Sequence, residues 1–247
     1  MHDEATGEIK MCLDRDLTLD ETMKAAQTGV GLGLVEDPGG GELAATQLWA
    51  NGSALSVRFL GGEPTARERV EHYAHEWEQH ANIKFRFVAE GPAVIRIGFK
   101  PGGSWSYLGC GNLLHWFRQN EPTMNYGWLT ETTPEEEYSR VVLHEFGHAL
   151  GCIHEHQSPA GGVPWDREKA YAYYAQQNGW SRPQVDAQVF NKYQGLFTQF
   201  STFDPTSIMM YPVPEEITVG GFAVGWNQRL SDMDKAFIGR LYPSPPR

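Results

Sequence analysis

Apolar positions change their period several times along the chain, and each change predicts an element. Leu55, Val57 and Phe59 alternate with Ser56 and Arg58, the pattern of a strand with one buried face. Val70, Tyr73, Ala74, Trp77 and Ala81 then recur at offsets of three and four, which predicts a helix over 65–81. Ile83, Phe85 and Phe87 form a second strand, and Ala93, Ile95, Ile97 and Phe99 a third. Thr123 to Leu129 is a further strand and the expected sheet edge. Val141, Val142, Leu143, Phe146, Ala149 and Leu150 give the next helix a broad apolar surface. Thr133-Pro134 and Glu135 to Glu137 supply its start, since proline fits the first turn and carboxylates favour the positive end of the helix dipole. Beyond residue 154 the pattern is less regular. A helix near Trp165–Asn178 stops at Asn178-Gly179, Ser181 caps a short one, and Ser231 with Asp234 three residues on opens a last one. Strand, helix, three strands, helix is the order of an α+β fold: a mixed, twisted sheet backed by helices.

Residues 1–43 stand apart. Thr18 to Gln27 predicts a short helix, but Gly29–Gly33 and Pro38–Gly41 interrupt regular structure. This stretch carries ten acidic and three basic side chains, against twenty-one and seventeen in the rest. A boundary between an N-terminal segment, 1–43, and a domain, 44–247, is therefore expected. The chain has 247 residues, 40% of them hydrophobic, which is enough for a packed core. A net charge of −11 argues against nucleic acid as a partner. No apolar stretch approaches the length of about 18 residues that spans a membrane, and no basic-then-apolar leader opens the chain. Three cysteines allow one bridge at most: Cys110 and Cys152 are either that pair or small buried residues.

The chemistry concentrates in His144-Glu145-Phe146-Gly147-His148-Ala149-Leu150-Gly151-Cys152-Ile153-His154. A spacing of four on a helix sets the His144 and His148 rings on one face, one turn apart. Glu145 falls beside them, placed to take a proton from an activated water instead of binding the ion. Gly151 can enter the left-handed backbone region without steric cost, so the helix ends there and the chain turns. That turn brings His154 round as a third nitrogen ligand. Three protein ligands leave a coordination position open, the mark of a catalytic zinc. His72, His75 and His80 read instead as solvated or core-edge histidines.

The extended motif resembles that of the metzincin peptidases, whose second signature is a methionine turn downstream. Ser207-Ile208-Met209-Met210-Tyr211 is similar to the astacin form of that turn, and Glu155 after the third histidine is the astacin residue. Leu48-Trp49-Ala50-Asn51-Gly52 and Gly103–Gly109 carry weaker echoes. The resemblance implies a two-lobed α+β zinc peptidase, with a twisted, mostly parallel sheet and two long helices in an N-terminal lobe over 44–151 and an irregular helical C-terminal lobe over 152–247. It also implies that Met209 lies beneath the metal, that the Tyr211 phenol stabilises the oxyanion, and that Glu155 anchors a mature N-terminus. After His156 the chain departs from the astacin run, reading Gln157-Ser158-Pro159.

The residues thus point to one catalytic zinc held by His144, His148 and His154, with Glu145 as general base and proteins or peptides as substrates. The family implies a secreted or extracytoplasmic location and a monomer. Two other readings remain. In one, residues 1–43 keep the enzyme latent, with Cys12, or Asp14 or Asp16, on the open zinc position. In the other, zinc only stabilises a non-catalytic binding module.

Overall fold

The computed structural model describes Cys12 and residues 17–36, 47–192 and 202–245. The strands are β1 (Ala54–Phe59), β2 (Lys84–Phe87), β3 (Ile95–Gly98), β4 (Trp105–Ser106) and β5 (Met124–Asn125). They form one sheet in the order β2-β1-β3-β5-β4. The first four strands of that order run parallel, and β4 pairs antiparallel with β5. Every residue of β3 is buried, as expected for a central strand covered on both faces.

The edge strand differs from expectation. Residues 124–125 lie inside the sheet, and β4 is the edge on that side. The strand expected over 123–129 stops after two residues for two reasons. The Asn125 side chain turns aside to bond Lys100 N (2.9 Å), Lys100 O (3.0 Å) and Gly103 O (3.1 Å). Gly127 then packs so closely on Gly102 that a Cβ would fall 1.8 Å from its carbonyl oxygen.

The helices are α1 (Leu19–Gly31), α2 (Pro64–Ala74), α3 (Glu135–Ala149), α4 (Arg167–Asn178), α5 (Arg182–Val185) and α6 (Asp232–Leu241). Helix α2 ends seven residues before the expected 81, followed by a 3-10 turn at Trp77–Gln79. The Glu78 carboxylate accepts from Phe85 N (2.7 Å), which ties the chain back to β2 and requires the tighter turn. Helix α1 runs through Gly29, which packs against Val35 and Leu113, and ends before Gly33 at φ 68°. Helix α4 starts at Arg167, two residues after the expected Trp165, and stops where expected, before Gly179 at φ 68°; α6 starts where expected, with the Ser231–Asp234 capping box formed.

Two apolar clusters flank the segment 207–211. Ile208 and Met209 join the larger one, between the sheet and helices α2 and α3. Met210 and Tyr211 join a second, with Ala170 and Tyr174 of α4, Val185, Val189, Val213 and Ile217. Cys110 and Cys152 are separate buried thiols. Burial pushes the Cys110 thiol up to about 12 and Cys152 higher still. No described helix is long and apolar enough to cross a membrane.

Candidate metal centre

Helix α3 carries His144 and His148 one turn apart, and its carboxyl end is fastened from two sides. The Trp49 indole donates to Ala149 O (2.7 Å) and the Tyr242 hydroxyl to Leu150 O (2.9 Å). Those carbonyls lie in the helix's last turn, where helical partners run out. Gly151, at φ 95°, reverses the chain, and Cys152 N closes the turn on Gly147 O (2.9 Å). His154 then faces the other two rings.

The three Nε2 atoms stand 3.0 Å (His144–His154), 3.1 Å (His144–His148) and 3.2 Å (His148–His154) apart. Each Nδ1 points outward: His144 to Ile208 O (2.8 Å), His148 to Cys152 O (2.8 Å) and His154 to Gln157 Oε1 (3.3 Å). A carbonyl oxygen only accepts, so each Nδ1 carries the proton and each Nε2 presents a lone pair. Three lone pairs converging at this distance repel unless a cation lies among them. Nitrogens about 2.0–2.1 Å from a tetrahedral zinc stand about 3.3 Å apart, close to the spacing found. The residues therefore fit zinc. Burial, reinforced by the neighbouring rings His148 and His154, holds His144 well below the ordinary imidazole range. Burial brings His154 down to about 3. Both rings are thus neutral at physiological pH, the form that binds metal.

Glu145 is fully buried. Ligand atoms of Cys12, His144 and Glu145 lie within 4.8 Å of one another. Burial first, and then the Glu145 charge, push the Cys12 thiol far up. The Tyr211 hydroxyl donates to Cys12 O, and its ring lies 4.2 Å from that of His154 and 4.3 Å from that of His156. Cys12 also forms a parallel bridge with Ser104, just ahead of β4. Asp14 and Asp16 lie outside the described residues.

Met209 lies against the helix between the two histidines: a Cβ on Gly147 would fall 2.4 Å from its Sδ. Its carbonyl accepts from Glu155 N (2.9 Å). Glu155 itself turns away from the histidines. It accepts from Asp204 N (2.8 Å) and lines a small cavity with Asp204, Ser207 and Asp234. Burial pushes its carboxyl up to about 7; the Asp204 N–H opposes this, while the Asp234 and Asp204 charges add to it. A roomier cleft, lined by His72, Glu76, Glu136, Arg229 and Lys235, contains none of these side chains.

Sequence reasoning missed three supports of the centre. Asp234, read only as a helix cap, also accepts from Ser207 Oγ (2.6 Å) and Ile208 N (2.8 Å), fixing the carbonyl that holds His144. Gly147 admits Met209, and a glycine in mid-helix was the available signal. Gln157 holds His154, and nothing in its local pattern marks it.

No protein-family model and no curated protein sequence matches the chain. Solved structures do. One structure of myroilysin is 46% identical, covering 81% of this chain and 97% of the other at a TM-score of 0.78. A crystal structure of myroilysin is 47% identical, over 81% and 87%, at 0.62. High choriolytic enzyme 1, a hatching-enzyme zinc protease of the medaka Oryzias latipes, is 18% identical over 79% and 94% at 0.55, a likeness of fold. The chain thus belongs to the family of myroilysin, and its α+β fold is that of the astacin-like metzincins.

Proposed function

We propose that the protein is a zinc-dependent endopeptidase acting on protein or peptide substrates. The observation that carries this reading is the convergence of three imidazole lone pairs beside the buried carboxylate of Glu145. Zinc bound by His144, His148 and His154 supplies a Lewis acid that polarises a carbonyl and makes water nucleophilic near neutral pH. Glu145 takes a proton from the attacking water and passes it to the leaving amine. The Tyr211 hydroxyl donates to the carbonyl oxygen as that atom gains negative charge. Met209 supports the rings from below, and Gly151 sets the turn that presents His154. A peptide pairs along β4, the sheet edge that Cys12 flanks in the full chain, main chain to main chain. Casein hydrolysis abolished by a chelator and restored by zinc tests the activity; its absence in zinc-loaded protein freed of residues 1–43 favours the non-catalytic binding module. Glu145→Ala should retain zinc and lose turnover by about 10²–10⁴-fold. Robust activity in that variant overturns the assignment of the base.

A second reading concerns latency. Cys12 lies with His144 and Glu145, and its carbonyl takes the hydrogen bond that Tyr211 otherwise gives a substrate. This supports residues 1–43 as an inhibitory segment, with the Cys12 thiol as a fourth zinc ligand. Removing the segment frees the cleft over the domain 44–247. The Glu155 cavity, ringed by carboxylates, suits the ammonium of a new N-terminus. A secreted, monomeric enzyme accords with such activation. Cys12→Ala in the full chain should raise basal activity and alter zinc coordination; no change in either refutes the thiol's role.

A further inference from the structure

The three histidines are not held alike. His144 and His148 each donate Nδ1–H to a backbone carbonyl, whereas His154 meets a side chain, Gln157 Oε1 at 3.3 Å. The amide's orientation is fixed by its other end: Gln157 Nε2 donates to Ala187 O (2.9 Å). Oxygen therefore faces His154, which leaves the Nε2 lone pair of that ring toward the metal. His156 grips the same stretch, with its Nε2 3.0 Å from Gln188 O. Both carbonyls belong to Asp186–Phe190, a π-helical turn that continues α5. Such turns are rare and frequently occur at functional sites. This one is tied back to α4, because Asp186 accepts from Arg167 Nη2 (2.7 Å) and Tyr171 Oη (2.6 Å). Gln157 is 3% exposed and both ends of its amide are engaged, so it has one orientation available.

We infer that Gln157 is a positioning residue for the third metal ligand, clamping the His154 ring and its tautomer to the turn 186–190. The inference rests on the zinc reading above. Its logic is that of outer-shell partners generally: a ligand histidine binds well when its second nitrogen is held, and loss of that partner costs about 10–100-fold in metal affinity. For His144 and His148 the partner is main chain, beyond the reach of substitution. For His154 it is one replaceable amide.

The test is zinc affinity of the full chain, measured by competition with a chelator, together with the visible spectrum of the Co(II)-loaded protein. Gln157→Leu removes both contacts and should weaken zinc by about 10–100-fold and shift the cobalt bands. Gln157→Glu keeps an acceptor toward Nδ1 but replaces the donor to Ala187 O by a second acceptor, so it should retain clearly more of the affinity than Gln157→Leu. Thermal unfolding of both metal-free variants checks that they fold. Affinity within twofold of wild type in Gln157→Leu overturns the inference. So does an equal loss in both folded variants, because the Ala187 tether alone would then matter. Absence of stoichiometric zinc in the wild type sinks the metal reading itself, whatever the variants do.

Discussion

Replacing Gly147 by alanine sets two known effects against each other. In mid-helix alanine is favoured over glycine by about 1 kcal/mol. Here the added Cβ would lie 2.4 Å from Met209 Sδ, 3.2 Å from Trp77 Cζ2 and 3.4 Å from Met209 Cε. A carbon and a sulfur cannot approach so closely, so Met209 must retreat by more than 1 Å. Its thioether is flexible, but its neighbours are committed. Met209 O holds Glu155 N, Met209 N donates to Ser207 Oγ (3.0 Å), and the next residue back, Ile208, holds His144. Overpacking of this kind costs about 1–3 kcal/mol. The overpacking term should win, leaving a net loss of about 1 kcal/mol and a melting temperature lower by about 2–4 °C for a chain of this size. Zinc affinity should fall too, because the displaced turn carries the partner of His144 Nδ1. Thermal unfolding and chelator competition measure the two effects. In a Met209→Ala background the clash with sulfur is gone and only the 3.2 Å approach to Trp77 remains, so the same substitution should be neutral or stabilising by up to about 1 kcal/mol. If Gly147→Ala raises the melting temperature of the otherwise unaltered protein and leaves zinc binding alone, the reasoning fails.

Two further outcomes follow from buried polar groups. The Tyr126 hydroxyl is buried with no hydrogen-bond partner among the described residues, so Tyr126→Phe should stabilise the protein by about 1 kcal/mol in urea unfolding; destabilisation would show that the hydroxyl is satisfied in solution. Burial pushes the Glu137 carboxyl up, but the bonds from Arg140 Nε (2.8 Å) and Nη2 (2.6 Å) and from the Trp128 indole (2.7 Å) more than offset it, leaving its pKa below the usual carboxylate value. With the folded pKa depressed, its stabilisation is present above the unfolded pKa and lost as pH falls through the folded one. Glu137→Gln should therefore be destabilised by about 3 kcal/mol at neutral pH and converge with wild type in acid. A pH-independent difference would refute the pairing.

How much of the molecule can be read from the sequence depends on the range of the interaction. The strand at 54–59 and the capping box at Ser231 are local periods and local hydrogen bonds, and both formed as expected. Strand 123–129 failed because side-chain bonds from Asn125 to residues 100 and 103, distant in sequence, competed with the ladder. Helix 65–81 was cut short by a nearer side-chain bond, Glu78 capturing the start of β2.

The sequence by itself determined the candidate metal centre's local geometry. Helical pitch sets His144 and His148 together, and glycine's freedom at positive φ turns His154 toward them, whatever the rest of the chain does. Only the tertiary structure decided what surrounds those rings. It laid Met209 in the gap left by Gly147, set Asp234 under Ile208, brought Gln157 to the turn at 186–190 and placed Cys12 near His144 and Glu145. Each of these is a contact between residues far apart in the chain, chosen by packing and by the need to satisfy buried polar groups. No local pattern encodes that choice.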